Sequence, residues 1–257
     1  MFASFDMKIT NTAMFDDYYD LGNSMFNQNK TNIKEELEKF IIINDVLDGD
    51  MISQNWFPSI KADVFISHSH KDEQYVIAFA GWLKEEFDLN AFVDSCVWGY
   101  SNDLLRKLDN MYCRNYSNSY SYEKRNVSTS HVHMMLNVAL MKMMDTCECL
   151  FFVNTPQSLP ISDNIANLKS TLSPWIYSEI EMSRYLRQRE PNRRGYNNPD
   201  IILEHCDLMI KYKINTSHMN KINEADLRQW NNSCIKYMHP LDILYKQVGK
   251  IEENTYE

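Results

Sequence analysis

The chain has 257 residues, 44% of them hydrophobic and 12% aromatic, which is enough apolar mass for a buried core and excludes wholesale disorder. Its formal net charge is −9 and 24% of its residues are charged, with no sustained Lys/Arg run, a balance that argues against a nucleic-acid partner. No apolar stretch approaches the roughly 20 residues that span a bilayer, and the first eight residues lack the basic and apolar regions of a secretory signal, so a cytoplasmic protein with no membrane partner is expected.

Residues 1–58 are rich in Asn, Asp, Phe and Tyr. One helix is predicted there, over residues 33–47, where Leu37, Phe40, Ile41 and Val46 form a partial apolar stripe. The segment reads as an N-terminal helical extension. From Lys61 the pattern changes to short apolar runs alternating with helical periods, the signature of βαβ units around a mostly parallel sheet. A first strand is predicted at residues 62–67, followed by a helix on which Val76, Ala80, Leu83 and Phe87 share a face. A second strand at residues 90–94 runs into a predicted loop, Ser95 to Tyr100, with Ser101 or Asn102 capping the next helix.

Residues 113–128, rich in Tyr, Ser and Asn, read as an insertion. Thr129 or Ser130 is expected to cap a Met-rich helix to about Asp145 with Met135, Leu136, Val138 and Ala139 in the core. The run Cys149-Leu150-Phe151-Phe152-Val153 is long enough for a strand buried on both faces. Ser173 and Pro174 start a further helix that should end before Pro191. Ile210, Tyr212 and Ile214 alternate with polar residues as in an edge strand, and a short helix is expected after Glu224. The fold class is therefore α/β, a doubly wound, mostly parallel sheet over residues 59–194, with residues 195–257 packed on it as a C-terminal extension.

Ligands of such sheets bind outside the carboxyl ends of the strands. Here those ends are Ser67 to Asp72, Asp94 to Tyr100, and Asn154 with the loop behind it; His68, His70, His131 and His133 are all expected on that side. On the helix after Ser173, Trp175, Glu179, Met182 and Leu186 recur at helical spacing, with Glu179 the one charge in the stripe. Periodicity serves equally a core stripe of Ile176, Ile180 and Ser183 that leaves Glu179 at the boundary. No metal site is expected: His131 and His133 point about 200° apart on a helix. Cys147 and Cys149 read as strand thiols, one packed and one pointing away, among six cysteines without a CxxC pair. Ser67 and Ser69 beside His68 and His70 lack a nucleophile elbow, and no glycine-rich phosphate cradle is present.

The run from Asp63 through Ser67, His68, Ser69 and His70 to Asp72 resembles the first strand and following loop of TIR (Toll/interleukin-1 receptor-like) domains. Ala91-Phe92-Val93-Asp94, then a segment with Gly99 and a Leu-rich helix, is similar to that family's second strand and BB loop, and Trp175 to Glu179 to its Trp-x-x-x-Glu helix. The resemblance spans residues 61–190. It implies that Glu179 is the catalytic carboxylate for cleaving NAD at the nicotinamide–ribose bond, with Phe65, His68, His70, Asp94, Trp98, His131, His133 and Trp175 as candidates for binding the substrate. It also implies no cofactor beyond NAD as substrate, a homo-oligomer, and a free, cyclised or acceptor-joined ADP-ribose product. The overall form is similar to bacterial TIR proteins of anti-phage defence of the Thoeris type, in which a separate effector protein senses that nucleotide signal. Where some enzymatic relatives carry arginines after the first strand, this chain has Ser69 and His70. A non-catalytic TIR-like scaffold acting by homotypic association is the alternative, and a nucleoside deoxyribosyltransferase-like enzyme a third reading without its own motifs in this chain.

Overall fold

The structure is a computed structural model that describes residues 1–30, 47–57, 60–115, 119–159, 170–171, 173–191, 212–213, 215–234 and 238–251. Its centre is a five-stranded, all-parallel sheet in the order β3-β2-β4-β1-β7. The strands are β1 (Ala3–Lys8), β2 (Val64–Ser67), β3 (Ala91–Val93), β4 (Cys149–Asn154) and β7 (Asn220–Asn223), while β5 (Ser170–Thr171) and β6 (Tyr212–Lys213) form a separate antiparallel pair. The helices are α1 (Tyr19–Lys30), α2 (Gly49–Trp56), α3 (Glu73–Phe87), α4 (Ser95–Leu108), α5 (Tyr122–Thr146), α6 (Pro174–Tyr185), α7 (Glu224–Ser233) and α8 (Pro240–Gln247). The doubly wound α/β class read from the sequence is the architecture observed. Among the described residues no helix is long and apolar enough to cross a membrane.

Both faces of the sheet are covered, as a parallel sheet requires. Ring contacts define one face: Phe5 stacks on Phe151 at 4.8 Å, and Phe151 meets Phe79 of α3 and Trp230 of α7, while Phe5 faces Tyr245 of α8. The registers Phe65↔Leu150, Ser67↔Phe152 and Asp6↔Phe152 put Phe65, Ser67 and Asp6 on the opposite face. Glu179 of α6 approaches Ser67 from that side.

The greatest departure from the sequence reading is at the ends of the chain. Residues 1–58 are expected as a helical extension, yet Ala3–Lys8 is an interior strand with β4 on one side and β7 on the other. Strand β7 likewise brings part of the C-terminal segment into the same sheet. β1 is hard to read as a strand because it carries Ser4 and Asp6, both buried. Asp6 is accommodated by Asn154 Nδ2 at 2.6 Å and Thr216 Oγ1 at 2.9 Å, which donate to its two oxygens; a buried carboxylate is tolerated when so bonded. The helix predicted at residues 33–47 falls on residues 31–46, outside the described residues. Of the predicted edge strand around Ile210 to Ile214, only Tyr212–Lys213 is described, and it pairs with Ser170–Thr171.

Other boundaries shift for local reasons. The backbone turns helical directly after β3, so Ser95 to Tyr100, expected as a loop, forms the first turns of α4. α5 begins eight residues before the expected Ser130 cap, because Ser121 accepts a hydrogen bond from the Lys124 N–H and caps it first. Its buried stripe is Val132, Leu136, Leu140, Met143 and Met144; of the expected set, Leu136 is buried and Met135 and Ala139 pack half-buried against the core. Cys147 and Cys149 are both buried, not one in and one out. α6 starts as read, with Ser173 Oγ accepting from the Ile176 N–H and Pro174 in the first turn.

α1 and α3 cross at two glycines. A Cβ on Gly22 would collide with the Ile77 carbonyl and one on Gly81 with the Tyr18 carbonyl, backbone atoms that cannot rotate away. Gly81→Ala should therefore destabilise the protein by about 1–3 kcal/mol, the range for overpacking a tight contact. A urea midpoint equal to that of the wild type would show that the two helices do not cross at this distance.

Candidate functional site

The chain runs from β2 outward to β3, then crosses back to β4 and onward past β1 to β7. The reversal puts a topological switch point at the carboxyl ends of β2 and β4, the position where open α/β sheets hold ligands. Ser67 is the last residue of β2 and His68 follows it, while Asp94 ends the segment after β3 and stands at the N-terminus of α4. α6 supplies Glu179. Ser67, His68 and Asp94 are 0% exposed and Glu179 is 1% exposed, so four polar side chains meet with no contact to bulk water.

Their contacts form a chain. Ser67 Oγ donates to Glu179 Oε2 at 2.5 Å, the carboxyls of Glu179 and Asp94 are hydrogen-bond partners, and His68 Nδ1 stands 2.6 Å from Asp94 Oδ1. Burial pushes the Glu179 carboxyl well above its usual range, and the neighbouring Asp94 charge pushes it further. Burial also raises Asp94 well above the usual aspartate range, against the hydrogen bond from Glu179 that lowers it. Two carboxyls in contact out of water cannot both ionise readily, so the pair holds one proton between them. Asp94 stands at the N-terminus of α4, and the positive end of that helix dipole favours the anion there. Burial holds the His68 imidazole down to about 4, so it is neutral near pH 7.

The groups around this pair are also acidic. Glu73 acts on both His68 and Asp94, and Asp72 acts on His68. Asp72 Oδ2 accepts from Thr155 Oγ1 at 2.6 Å, which ties the turn after β2 to the end of β4, and Glu73 Oε1 accepts from Ser95 Oγ at 3.2 Å. Among the described residues no set of three His, Cys, Asp or Glu side chains is placed to hold a metal ion. The arrangement offers net negative charge shielded from bulk solvent, the complement of a cation.

The structure brings together His68, Asp94 and Glu179 of the residues singled out in the sequence. Phe65 is a core residue, packed 5.3 Å from Phe92 and two residues below Ser67 on the same face. His70 is 74% exposed and pairs with Glu73 at 3.7 Å, on the solvent side of the buried pair. His131 is exposed, because α5 starts earlier than expected and places it in the third turn, not at the helix N-terminus. His133 meets the half-buried Trp175 edge to face at 5.6 Å, one helical turn before Glu179. The backbone of Trp98 lies in α4; its side chain is outside the described residues. On α6, Ile176, Glu179, Ile180, Met182 and Ser183 are all buried, so the two stripes left open by periodicity merge into one face. Sequence reasoning considered Ser67 as a nucleophile beside a histidine base, but its hydroxyl is committed to Glu179. Thr155 and Glu73 were missed, since nothing in their local sequence separates them from ordinary turn and helix-start residues.

The proton held by the pair has a consequence for stability. Glu179 in the folded protein titrates above its ordinary value of 4.5, so its favourable contribution is complete below that pH and is lost as pH rises through the folded-state value. Glu179→Gln keeps the shape without the titration and should gain on the order of 1–3 kcal/mol over the wild type at pH 8 relative to pH 5. Thermal melts at the two pH values check this; an unchanged gap would mean that the carboxyl is not held protonated. His68 has the opposite sign. Its folded-state value lies below the ordinary 6.5, so stability is complete above that pH and is lost as pH falls toward about 4. Its ring resonances should show no protonation at pH 5.5, which NMR titration reads directly.

No protein-family model matches the chain, and no curated protein or solved structure matches it, so the chemistry of the site is read from its own geometry.

Proposed function

We propose that the chain is a TIR-type enzyme that cleaves the nicotinamide–ribose bond of NAD, with Glu179 as the carboxylate that stabilises the ribosyl cation. One observation carries the reading: a fully buried Glu179 accepts from Ser67 Oγ and pairs with Asp94 at the carboxyl ends of β2 and β3. Cleavage of an N-glycosidic bond builds oxocarbenium charge on the ribose. A buried carboxyl pair stabilises that charge more strongly than water does, because nothing must reorganise as it forms.

The bond electrons of C1′–N pass to the pyridinium nitrogen, so nicotinamide leaves neutral and needs no acid. C1′ is then captured by water or a small acceptor, giving ADP-ribose, a cyclised form, or an acceptor conjugate as a signal for a separate effector in anti-phage immunity. Trp175 and His133, edge to face one turn before Glu179, supply an aromatic wall for the flat pyridinium ring. The acidic residues Asp72 and Glu73 repel phosphate, so the pyrophosphate of NAD lies away from the turn after β2.

The second reading, a non-catalytic TIR-like scaffold, is favoured by the enclosure of both acids: Asp94 is 0% and Glu179 1% exposed. Incubation of the purified chain with NAD, alone and with amino acids or extract of phage-infected cells, separates the two. Mass spectrometry should find nicotinamide and an ADP-ribose species, and Glu179→Gln should reduce their formation by about 10³-fold or more. No release under any condition, with Glu179 intact, selects the scaffold. Specific activity should also fall on dilution if a neighbouring copy completes the site; a constant value would rule out that dependence.

A further inference from the structure

We propose that Asp94 is the general base of the same site, taking the proton of the hydroxyl that captures the ribosyl cation. The inference rests on N-glycosidic cleavage at Glu179 and concerns the step that follows it. A water or alcohol nucleophile that adds to C1′ forms its C–O bond as its O–H bond breaks, and that proton needs an acceptor within the site. Each of the other acids accepts a hydrogen bond from a hydroxyl group. Glu179 faces the ribose and already accepts from Ser67. Asp72 accepts from Thr155, and Glu73 from Ser95. The His68 ring directs Nδ1 at Asp94. Asp94 remains, beside Glu179, anchored by His68 and stabilised as an anion by the N-terminus of α4.

The charges balance through the cycle. With no cationic group beside them, the two carboxyls share one proton. That proton passes to solvent as the cationic pyridinium ribose of NAD is bound beside the pair, so both are ionised when the nucleophile arrives. The C1′–N electron pair leaves with nicotinamide, the nucleophile oxygen donates an electron pair to C1′, and its proton moves to Asp94 and from there to solvent. Burial makes Asp94 a stronger base than an exposed aspartate.

A nucleophile with no proton to lose provides the test. A pyridine base such as 3-acetylpyridine captures the ribosyl cation through its ring nitrogen, and this exchange needs Glu179 but no base. The full chain and its variants are supplied with NAD and 3-acetylpyridine, and both hydrolysis and exchange are followed by chromatography. Asp94→Asn slows cleavage itself, because the pair loses a charge, but it should lose on the order of 10²-fold more in hydrolysis than in exchange. Glu179→Gln should lose both. Equal loss of both activities in Asp94→Asn, with no recovery of hydrolysis when formate is added to Asp94→Ala, overturns the role of Asp94 and leaves that of Glu179 standing. Formate-dependent hydrolysis in Asp94→Ala supports it even if the Asn variant folds poorly. A wild type that neither hydrolyses nor exchanges overturns the cleavage reading, and the base with it.

Discussion

Two carboxyl groups packed against each other out of water set the terms for the rest of this molecule. Asp94 and Glu179 are enclosed beside further acids: Asp72 and Glu73 both act on His68, and Glu73 also acts on Asp94. Such a pair is unfavourable unless it keeps a proton, receives hydrogen bonds, or meets a positive charge. The first two are present. Ser67 donates to one acid, His68 abuts the other, and the start of α4 directs its dipole toward Asp94. The third is what a ribosyl cation brings, which links the electrostatic tension of the folded state to the proposed chemistry.

The tension can be held because every participant sits on a rigid element. Ser67 and His68 lie at the end of a strand flanked on both sides, and β2 is fixed by β3 and β4 in register over its length. α6 is anchored by its Ser173 cap and by Ile176 and Ile180 in the core. Thr155 to Asp72 closes the gap between the ends of β2 and β4. On the far face, the stacked rings of Phe5, Phe151 and Trp230 and the glycine crossing of α1 with α3 leave little room for the sheet to shift.

Much of this was readable in the sequence. The strands around Val64, Phe92 and Phe151, the face of α3, and the start of α6 all follow from apolar periodicity and capping residues. Glu179 stood out as a lone acid within a helical stripe, although periodicity could not decide whether that stripe or its neighbour faced the core. What escaped detection depends on contacts between residues far apart in the chain. β1 carries Ser4 and Asp6, whose burial makes sense only once Asn154 and Thr216 arrive. His131 was misplaced because one serine, Ser121, capped α5 earlier than Ser130 could. The role of Ser67 was invisible because its partner lies 112 positions away.

The place of β1 also governs how the sheet is assembled during synthesis. Phe5 pairs with Phe151 on one side and with Asn220 on the other, so β1, which precedes both partners in the chain, is flanked only once β7 has been made. Until residues 220–223 emerge, a sheet of β3, β2, β4 and β1 presents the unpaired backbone edge of β1, with Phe5 and Met7 on its apolar face still lacking the cover of Tyr245. An open edge of this kind invites strand addition from another molecule. The segment that carries β7 and α8 thus acts as an internal closing piece, and synthesis halted before it would leave a template for aggregation.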